Sequence, residues 1–434
     1  MSTQSPWIIV GGGASGLAAA YFLKQRGLES VIVERDSVIG GRMGTVQLGD
    51  RSLDCGGKNI GRTYTLFRRF AASLGSHPFE YFGLNSSQAV NGRVKTLEAS
   101  SRWRSMAGLA RGMAARDVIR FGRLLWSVKW DEAKGYLGSS FSRTLGNQYD
   151  EFPASHYFSS EFCGRVLRPM SVRMNGAEPD EVYMGNLTSN VRMLLDTYEQ
   201  FAHGLQPLLG AFLARYSVRL NTATEGLLVD GGRVTGVRVR TPDGRSTDLR
   251  GAGVIVATPA HAAAAFADPV SPNLARGLRS IAYYPVSLII AEYDRPIFSP
   301  AQRAFVFDSE TPVSNAGAYG INDLNLVRYT FSGRASRHNT AEVSDHEALL
   351  ASGEAALSKY VRIPRNSRRR FVARRFSPGL CAYAPHHARL IDEVQRESNN
   401  VAGLHLTGDY MQGASIEACF RSASACVDHI TNQS

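Results

Sequence analysis

Lysine is scarce in this 434-residue chain, occurring only at Lys24, Lys58, Lys95, Lys129, Lys134 and Lys359, so arginine supplies nearly all of the +11 formal charge. The five cysteines (Cys55, Cys163, Cys381, Cys419, Cys426) are scattered, with no CxxC pair and no Cys/His cluster at ligand spacing. That argues against a structural zinc or a disulfide scaffold, and no metal is expected. No run reaches the ~18–20 apolar residues needed to span a bilayer, and no basic segment precedes a signal-type apolar run. A cytoplasmic protein is the expectation. No nucleic-acid recognition module accompanies the positive charge, so nucleic acid is not expected as a partner. None of the ten histidines stands in a pattern that would pair it with a nucleophile.

What the chain does have begins at its seventh residue. Trp7 to Val10 reads as a buried parallel strand, and Gly11, Gly13 and Gly16 then fall at GxGxxG spacing. Leu17 to Arg26 reads as a helix, and Ser30 to Glu34 as a second strand ending in an acid. The first glycine permits the tight turn, the second lets backbone approach a pyrophosphate, and the third allows helix and strand to pack closely. N–H groups at Ala14, Ser15 and Gly16 would face the phosphates with the positive end of the helix dipole. Glu34 is placed to accept hydrogen bonds from the adenosine ribose, with Arg35 following it, and an acid there disfavours a 2′-phosphate. Strand, glycines, helix, strand and acid in order make this a dinucleotide site.

The continuation Ile39-Gly40-Gly41-Arg42-Met43-Gly44 resembles that of the flavin amine oxidase, protoporphyrinogen oxidase and phytoene desaturase superfamily. Asp54-Cys55-Gly56-Gly57 is similar to its acid-then-glycine segment. Leu404 to Ala418, containing Gly408-Asp409 and Ser415-Ile416, is similar to its closing motif. The resemblance implies FAD, held noncovalently, with Gly41 and Arg42 along the diphosphate and Gly57 beside the flavin. It puts Thr224 near adenine, Asp409 near the ribityl and phosphate portion, and the backbone of Ser415 and Ile416 toward the flavin N1–C2 edge. A helix start there would stabilise anionic reduced flavin. Ser422-Ala423-Ser424 stands where relatives often have Ser-Gly.

The fold this implies is an α/β FAD-binding Rossmann-like domain interleaved with an α+β substrate domain. The FAD part takes residues 1–75, 211–265 and 386–434, and the substrate part takes 76–210 and 266–385. Tyr64–Leu74 reads as a helix, Asn186–Ala214 as mainly helical with a break near His203-Gly204, and 217–250 as a strand meander. Strands are expected near 330–340 and 371–376, with a helix at about 345–360. Met106, Ala110, Met113, Val118, Phe121, Leu125 and Val128 form an apolar stripe flanked by Arg116, Arg120 and Arg123, with Trp126 and Trp130 at its end. This is read as a core-facing helix with an arginine edge; the alternative is peripheral contact with an anionic membrane.

The implied activity is that of an FAD-dependent oxidase or desaturase. It would take hydride from a small lipophilic or biosynthetic substrate to make a C=C or C=N bond, with oxygen or another acceptor as partner. The alternatives are an amine oxidase yielding imine and hydrogen peroxide, and a non-redox FAD-containing isomerase. Tyr383 is the first substrate-side candidate, in a segment similar to one bordering the flavin in relatives. Tyr410 and Met411 come next. Many amine oxidases use a lysine to hold a water near flavin N5; Lys58 is the one lysine here close to a flavin-facing motif, but it is not matched to that family position. Cys381 lies in a neighbourhood like that of a flavin-linking cysteine, but its spacing to Pro385 departs from that pattern. The oligomeric state is left open.

Overall fold

The computed structural model describes residues 5–81, 86–90, 93–97, 112–340 and 345–433. Short apolar runs build a five-stranded parallel sheet in the order Ser217–Arg219, Ser30–Val33, Trp7–Val10, Val254–Val256, Leu404–Leu406. Helices or crossover segments cover both faces, so these strands read as unbroken hydrophobic stretches and not as alternating ones. On one face the helix Ala14–Gln25 packs against the closing helix Ile416–Gln433 and the helix Thr65–Leu74. Phe67, Phe70, Phe212 and Phe420 fill the space between them. Each such ring contributes roughly 1.5–3 kcal/mol by leaving water.

The meander follows the expected order as Ala223–Asp230, Arg233–Arg240 and Ser246–Arg250, turning tightly at Gly231-Gly232. A second, seven-stranded sheet is dominated by the antiparallel pair Ala282–Tyr293 and Arg368–Tyr383, 12 and 16 residues long. One end of this pair reaches the carboxyl edge of the parallel sheet. The helices Ala115–Trp130, Arg168–Asn175 and Met184–Leu195 belong to a helical layer with its own apolar cluster.

Two expectations are corrected. The segment near 330–340 is not a strand: Leu326–Phe331 is, and Arg334–Thr340 is helical. The chain turns at Gly333 in a left-handed conformation (φ 90°), which ends the strand. Within 186–214 the strand Tyr198–Phe201 separates the helices Met184–Leu195 and Gln206–Leu213, because it pairs with Phe79–Tyr81 and Ile60-Gly61 far back in the chain.

The arginine helix buries Phe121 and Val128 as anticipated, but Leu124 is the third buried position; Leu125 is only partly buried, and Val118 is exposed because it lies off the packed face. Trp126 and Trp130 are 63% and 72% exposed, with ring centroids 5.3 Å apart. Met106 and Ala110 of the proposed stripe lie outside the described residues.

Candidate flavin and substrate site

The glycine turn sits at the carboxyl end of Trp7–Val10. Gly11 has φ 103°, and a Cβ on Gly16 would stand 1.9 Å from the Gly11 carbonyl oxygen. The helix Ala14–Gln25 starts at Gly13 with no side chain capping it, so its first N–H groups face outward over the turn. Ser15 is buried in its first turn. Glu34 is buried: one carboxylate oxygen accepts from Gly12 N at 2.6 Å, the other from Asp36 N at 2.9 Å. Arg35 is exposed, 3.7 Å from Asp36. The hydroxyls of Thr224 and Thr258 are buried without hydrogen-bond partners, and the Thr258 side chain flanks Gly11. Unfilled helix N–H groups, a glycine cradle and orphaned hydroxyls around an acid suit a dinucleotide.

The Gly40-Gly41-Arg42 segment lies directly on this turn, with Gly40 bridging Gly13. Arg42 points toward the carboxyl edge of the sheet. Its Nη1 donates to Asp409 Oδ2 at 2.6 Å and to the Gly379 carbonyl at 2.9 Å. Burial works against the Arg42 charge, but the Asp409 carboxylate outweighs it and holds the guanidinium pKa above its ordinary value. Asp409 Oδ1 accepts from Tyr283 OH at 2.7 Å. The glycine turn, the closing motif and the long strand pair therefore meet at one three-residue network. Gly57 N donates to the Arg42 carbonyl at 2.9 Å, which brings the acid-glycine segment alongside, and the Ile416 side chain lies next to Gly57. Gly408 N donates to Ser422 Oγ at 3.4 Å, and that hydroxyl also meets Thr407 Oγ1 at 2.8 Å. The serine at 422 thus fastens the closing motif. Ser415 Oγ accepts from Ala418 N at 3.1 Å, opening the closing helix.

Of the substrate-side candidates, Tyr383, Tyr410 and Met411 share one apolar cluster, and Lys58 stands apart from them. Tyr383 is buried at the end of the long strand with φ 68°, its hydroxyl near Gly413 and making no hydrogen bond. Tyr410 is also fully buried with an orphan hydroxyl. Lys58 Nζ donates to Gln200 Oε1 at 2.7 Å and to the Tyr319 carbonyl, and lies 4.2 Å over the Tyr319 ring. Burial, helped by the nearby Arg328 charge, lowers its pKa to about 7. Cys381 lies buried in the apolar cluster under the parallel sheet, where burial drives its thiol pKa well above the ordinary value. Among the described residues no group of His, Cys, Asp and Glu could hold a metal.

Residues given no role by the sequence complete the region. Glu417 accepts from Leu66 N and Phe67 N at 3.1 Å, capping a helix some 350 residues away in the chain. His387 donates from Nε2 to the Tyr410 carbonyl at 2.6 Å and accepts from Ala384 N at Nδ1, 3.3 Å away, which requires the neutral ring. Burial pulls its pKa down to about 4 from the usual 6.5. Because the folded value is the lower one, the unfolded chain binds this proton first, and stability is lost as pH falls from about 6.5 to about 4. The expected result is a calorimetric melting temperature that declines through this window in the native protein and less steeply in His387→Gln. Equal slopes would remove His387 from the account.

Residues 14–431 match the family described as flavin containing amine oxidoreductase. An L-amino-acid oxidase of Siganus canaliculatus is 28% identical over 316 residues, covering 68% of this chain and 58% of its own. A cyclohexylamine oxidase from Brevibacterium oxydans shares the fold with a TM-score of 0.71, 19% identity and 99% coverage of both chains. A CLA-producing fatty acid isomerase from P. acnes does so with a TM-score of 0.72 and 12% identity, also over 99% of each chain.

Proposed function

Since the chain belongs to the flavin-containing amine oxidoreductase family and is an FAD-dependent oxidoreductase, we propose that it oxidises a small, lipophilic or biosynthetic substrate to a C=C or C=N product and passes the electrons to oxygen. The observation carrying this is the Arg42–Asp409–Tyr283 network, where the parts of a flavin site converge. In this reading Gly11, Gly13, Ala14, Ser15 and Gly16 hold the pyrophosphate and Glu34 the ribose. Arg35 and Thr224 flank the adenine. Gly41, Arg42 and Gly57 run along the diphosphate and flavin, and Gly408, Asp409, Ser415 and Ile416 take the ribityl chain and the flavin N1–C2 edge. FAD, when bound, supplies acceptance of a hydride from a C–H bond. The protein's part is to orient the substrate, exclude water, and set the charge around that edge. Tyr383 borders the substrate, and Lys58, held by Gln200 and the Tyr319 carbonyl, is a second candidate for a catalytic role. The burial of Cys381 supports noncovalent attachment.

A second reading, amine oxidation to imine and peroxide, is favoured by the names of several relatives. An isomerase reading is favoured by another. Anaerobic photoreduction followed by mixing with oxygenated buffer separates these. Rapid return of the flavin absorbance is the expected result, and it leads to a peroxide-coupled screen of amines against other substrates. Slow return would reject oxygen as acceptor and point to a dehydrogenase or isomerase. Absence of flavin absorbance after adding FAD would sink the reading.

The exposed face of the arginine helix supports peripheral membrane contact. Ile119, Trp126 and Trp130 share that face with Arg116 and Arg123, opposite buried Phe121, Leu124 and Val128. Aromatic rings flanked by cations suit an anionic headgroup layer. Co-sedimentation with phosphatidylglycerol vesicles is expected, weakened at least tenfold in Trp126→Ser/Trp130→Ser. Sedimentation unchanged in the variant would reject this surface.

A further inference from the structure

Two residues other than glycine lie in the left-handed backbone region within one short segment, Tyr383 at φ 68° and His386 at φ 50°. A bulky residue is strained there and persists only where its surroundings over-determine it. A glycine at 383 would take the same conformation freely. The tyrosine instead puts a phenol into the core, its buried hydroxyl beside Gly413 and without a hydrogen-bond partner among the described residues. Gly413 ends the short helix Asp409–Gln412, just ahead of Ser415 and the closing helix. The strain therefore delivers an unpaired hydroxyl to the closing motif.

What over-determines the conformation comes from the helical layer. Asn175 ends the helix Arg168–Asn175, and its Nδ2 donates to the Cys381 carbonyl at 2.9 Å. Its Oδ1 accepts from Asn190 Nδ2 at 2.8 Å, which fixes the orientation of the amide. Asn186, on the helix Met184–Leu195 with Asn190, donates from Nδ2 to the Ala384 carbonyl at 3.0 Å. Asp150 Oδ2 accepts from His386 N at 3.1 Å, while its Oδ1 accepts from Gly185 N at 2.9 Å. All four side chains are buried.

Tyr383 is thus bracketed by backbone bonds on both sides of it in the chain. A further tie comes from His387, which joins the Ala384 N–H to the Tyr410 carbonyl, next to Asp409. Its ring meets that of Tyr383 edge-on, centroids 5.0 Å apart. Apolar side chains would fill these positions in a core that needed only packing. Satisfied buried polar groups instead select one geometry. Here Asn175, Asn186 and Asp150 spend their hydrogen bonds on the backbone of Cys381–His386, and Asn190 steadies the first of them.

We propose that Asn175, Asn186 and Asp150 are positioning residues for Tyr383, holding its backbone so that the phenol is presented, unpaired, to a substrate lying against the flavin edge at Ser415-Ile416. The inference rests on the flavoenzyme reading and adds to it the device that sets its substrate-side hydroxyl.

The test follows the fluorescence of FAD bound to the full chain, because a phenol close to a flavin quenches its emission by electron transfer, and the quenching falls steeply with distance. Tyr383→Phe removes the quencher and is expected to raise the emission at least twofold. Asn175→Ala and Asn186→Ala should raise it to a similar level at unchanged flavin content, and combining either with Tyr383→Phe should raise it no further. Asn186→Leu fills the space without a donor and should behave as Asn186→Ala does. Asp150→Asn keeps an acceptor and should give a smaller rise, so the comparison survives if an alanine variant fails to fold. Circular dichroism establishes folding. Fluorine NMR of protein made with fluorotyrosine reads the Tyr383 line without recourse to flavin, assigned by its loss in Tyr383→Phe, and that line should move in the asparagine variants.

Emission unchanged in the folded asparagine variants while Tyr383→Phe raises it, or an unmoved fluorine line, would overturn the positioning role. No rise in Tyr383→Phe itself would take the phenol away from the flavin, and the inference with it. Absence of flavin after adding FAD would overturn the flavoenzyme reading instead, while the fluorine line still tests whether these side chains hold Tyr383.

Discussion

Gly16→Ala is expected to yield protein that retains almost no FAD. The added methyl would stand 1.9 Å from the Gly11 carbonyl oxygen and 3.1 Å from its carbon. Neither can yield, because Gly11 is itself held at φ 103° against Ala257 and its N–H is bonded to Val33. Overpacking a fixed backbone usually costs about 1–3 kcal/mol, occasionally more, and here the strain falls on the turn meant to approach the pyrophosphate. Gly27→Ala is the control. Gly27 also has a positive φ, 72°, but open space around it, so only the left-handed penalty of roughly 1–2 kcal/mol applies. Flavin per chain after purification decides the matter: full retention in Gly16→Ala would refute the assignment of this turn to the cofactor.

Glu417→Ala should be the most destabilising single substitution outside the glycine turn. The carboxylate is wholly inaccessible and accepts from Leu66 N, Phe67 N and Thr65 Oγ1. It does for the helix Thr65–Leu74 what a local capping residue would do, since Tyr64 contributes no side-chain cap. Alanine would strand two N–H groups in the core and leave Arg421, 3.4 Å away, without its carboxylate. Each buried orphan costs about 1–3 kcal/mol, so a loss of roughly 3–5 kcal/mol is expected in urea unfolding. Glu417→Gln keeps an acceptor and should lose less. If both variants unfold at the wild-type midpoint, the carboxylate is not what holds that helix start.

These two positions also mark what was legible in the sequence. Gly16 and Glu34 announce themselves because strand, turn, helix and acid lie within one short stretch whose local chemistry has few other uses. Arg42 and Asp409 were each visible in a motif, but their direct pairing spans 367 positions and is a property of the assembled sheets. Tyr283 carries no local signature, and Glu417 within the closing motif and His387 shortly before it give no sign in the sequence of what each bonds. Each is an ordinary residue on an ordinary element until a distant segment packs against it. The strand expected near 330–340 lies a few residues earlier, at Leu326–Phe331, because Gly333 turns the chain and stops it. The strand Tyr198–Phe201 has no local pattern of its own, since its partners Ile60-Gly61 and Phe79–Tyr81 lie more than a hundred residues earlier.

The parallel sheet has a consequence for how the protein is made. Its strands come from residues near 7, 30, 217, 254 and 404, and its outermost strand leads directly into Asp409 and the closing helix. While the chain is being synthesised, the glycine turn emerges long before the helix that packs on it and the aspartate that meets Arg42. For most of translation the N-terminal unit is a half-built layer with one apolar helix face exposed, dependent on partners not yet made. Such long-range closure is slow and leaves sticky surface uncovered in the meantime. Cofactor capture and completion of the fold are therefore set to coincide, once the closing helix is made.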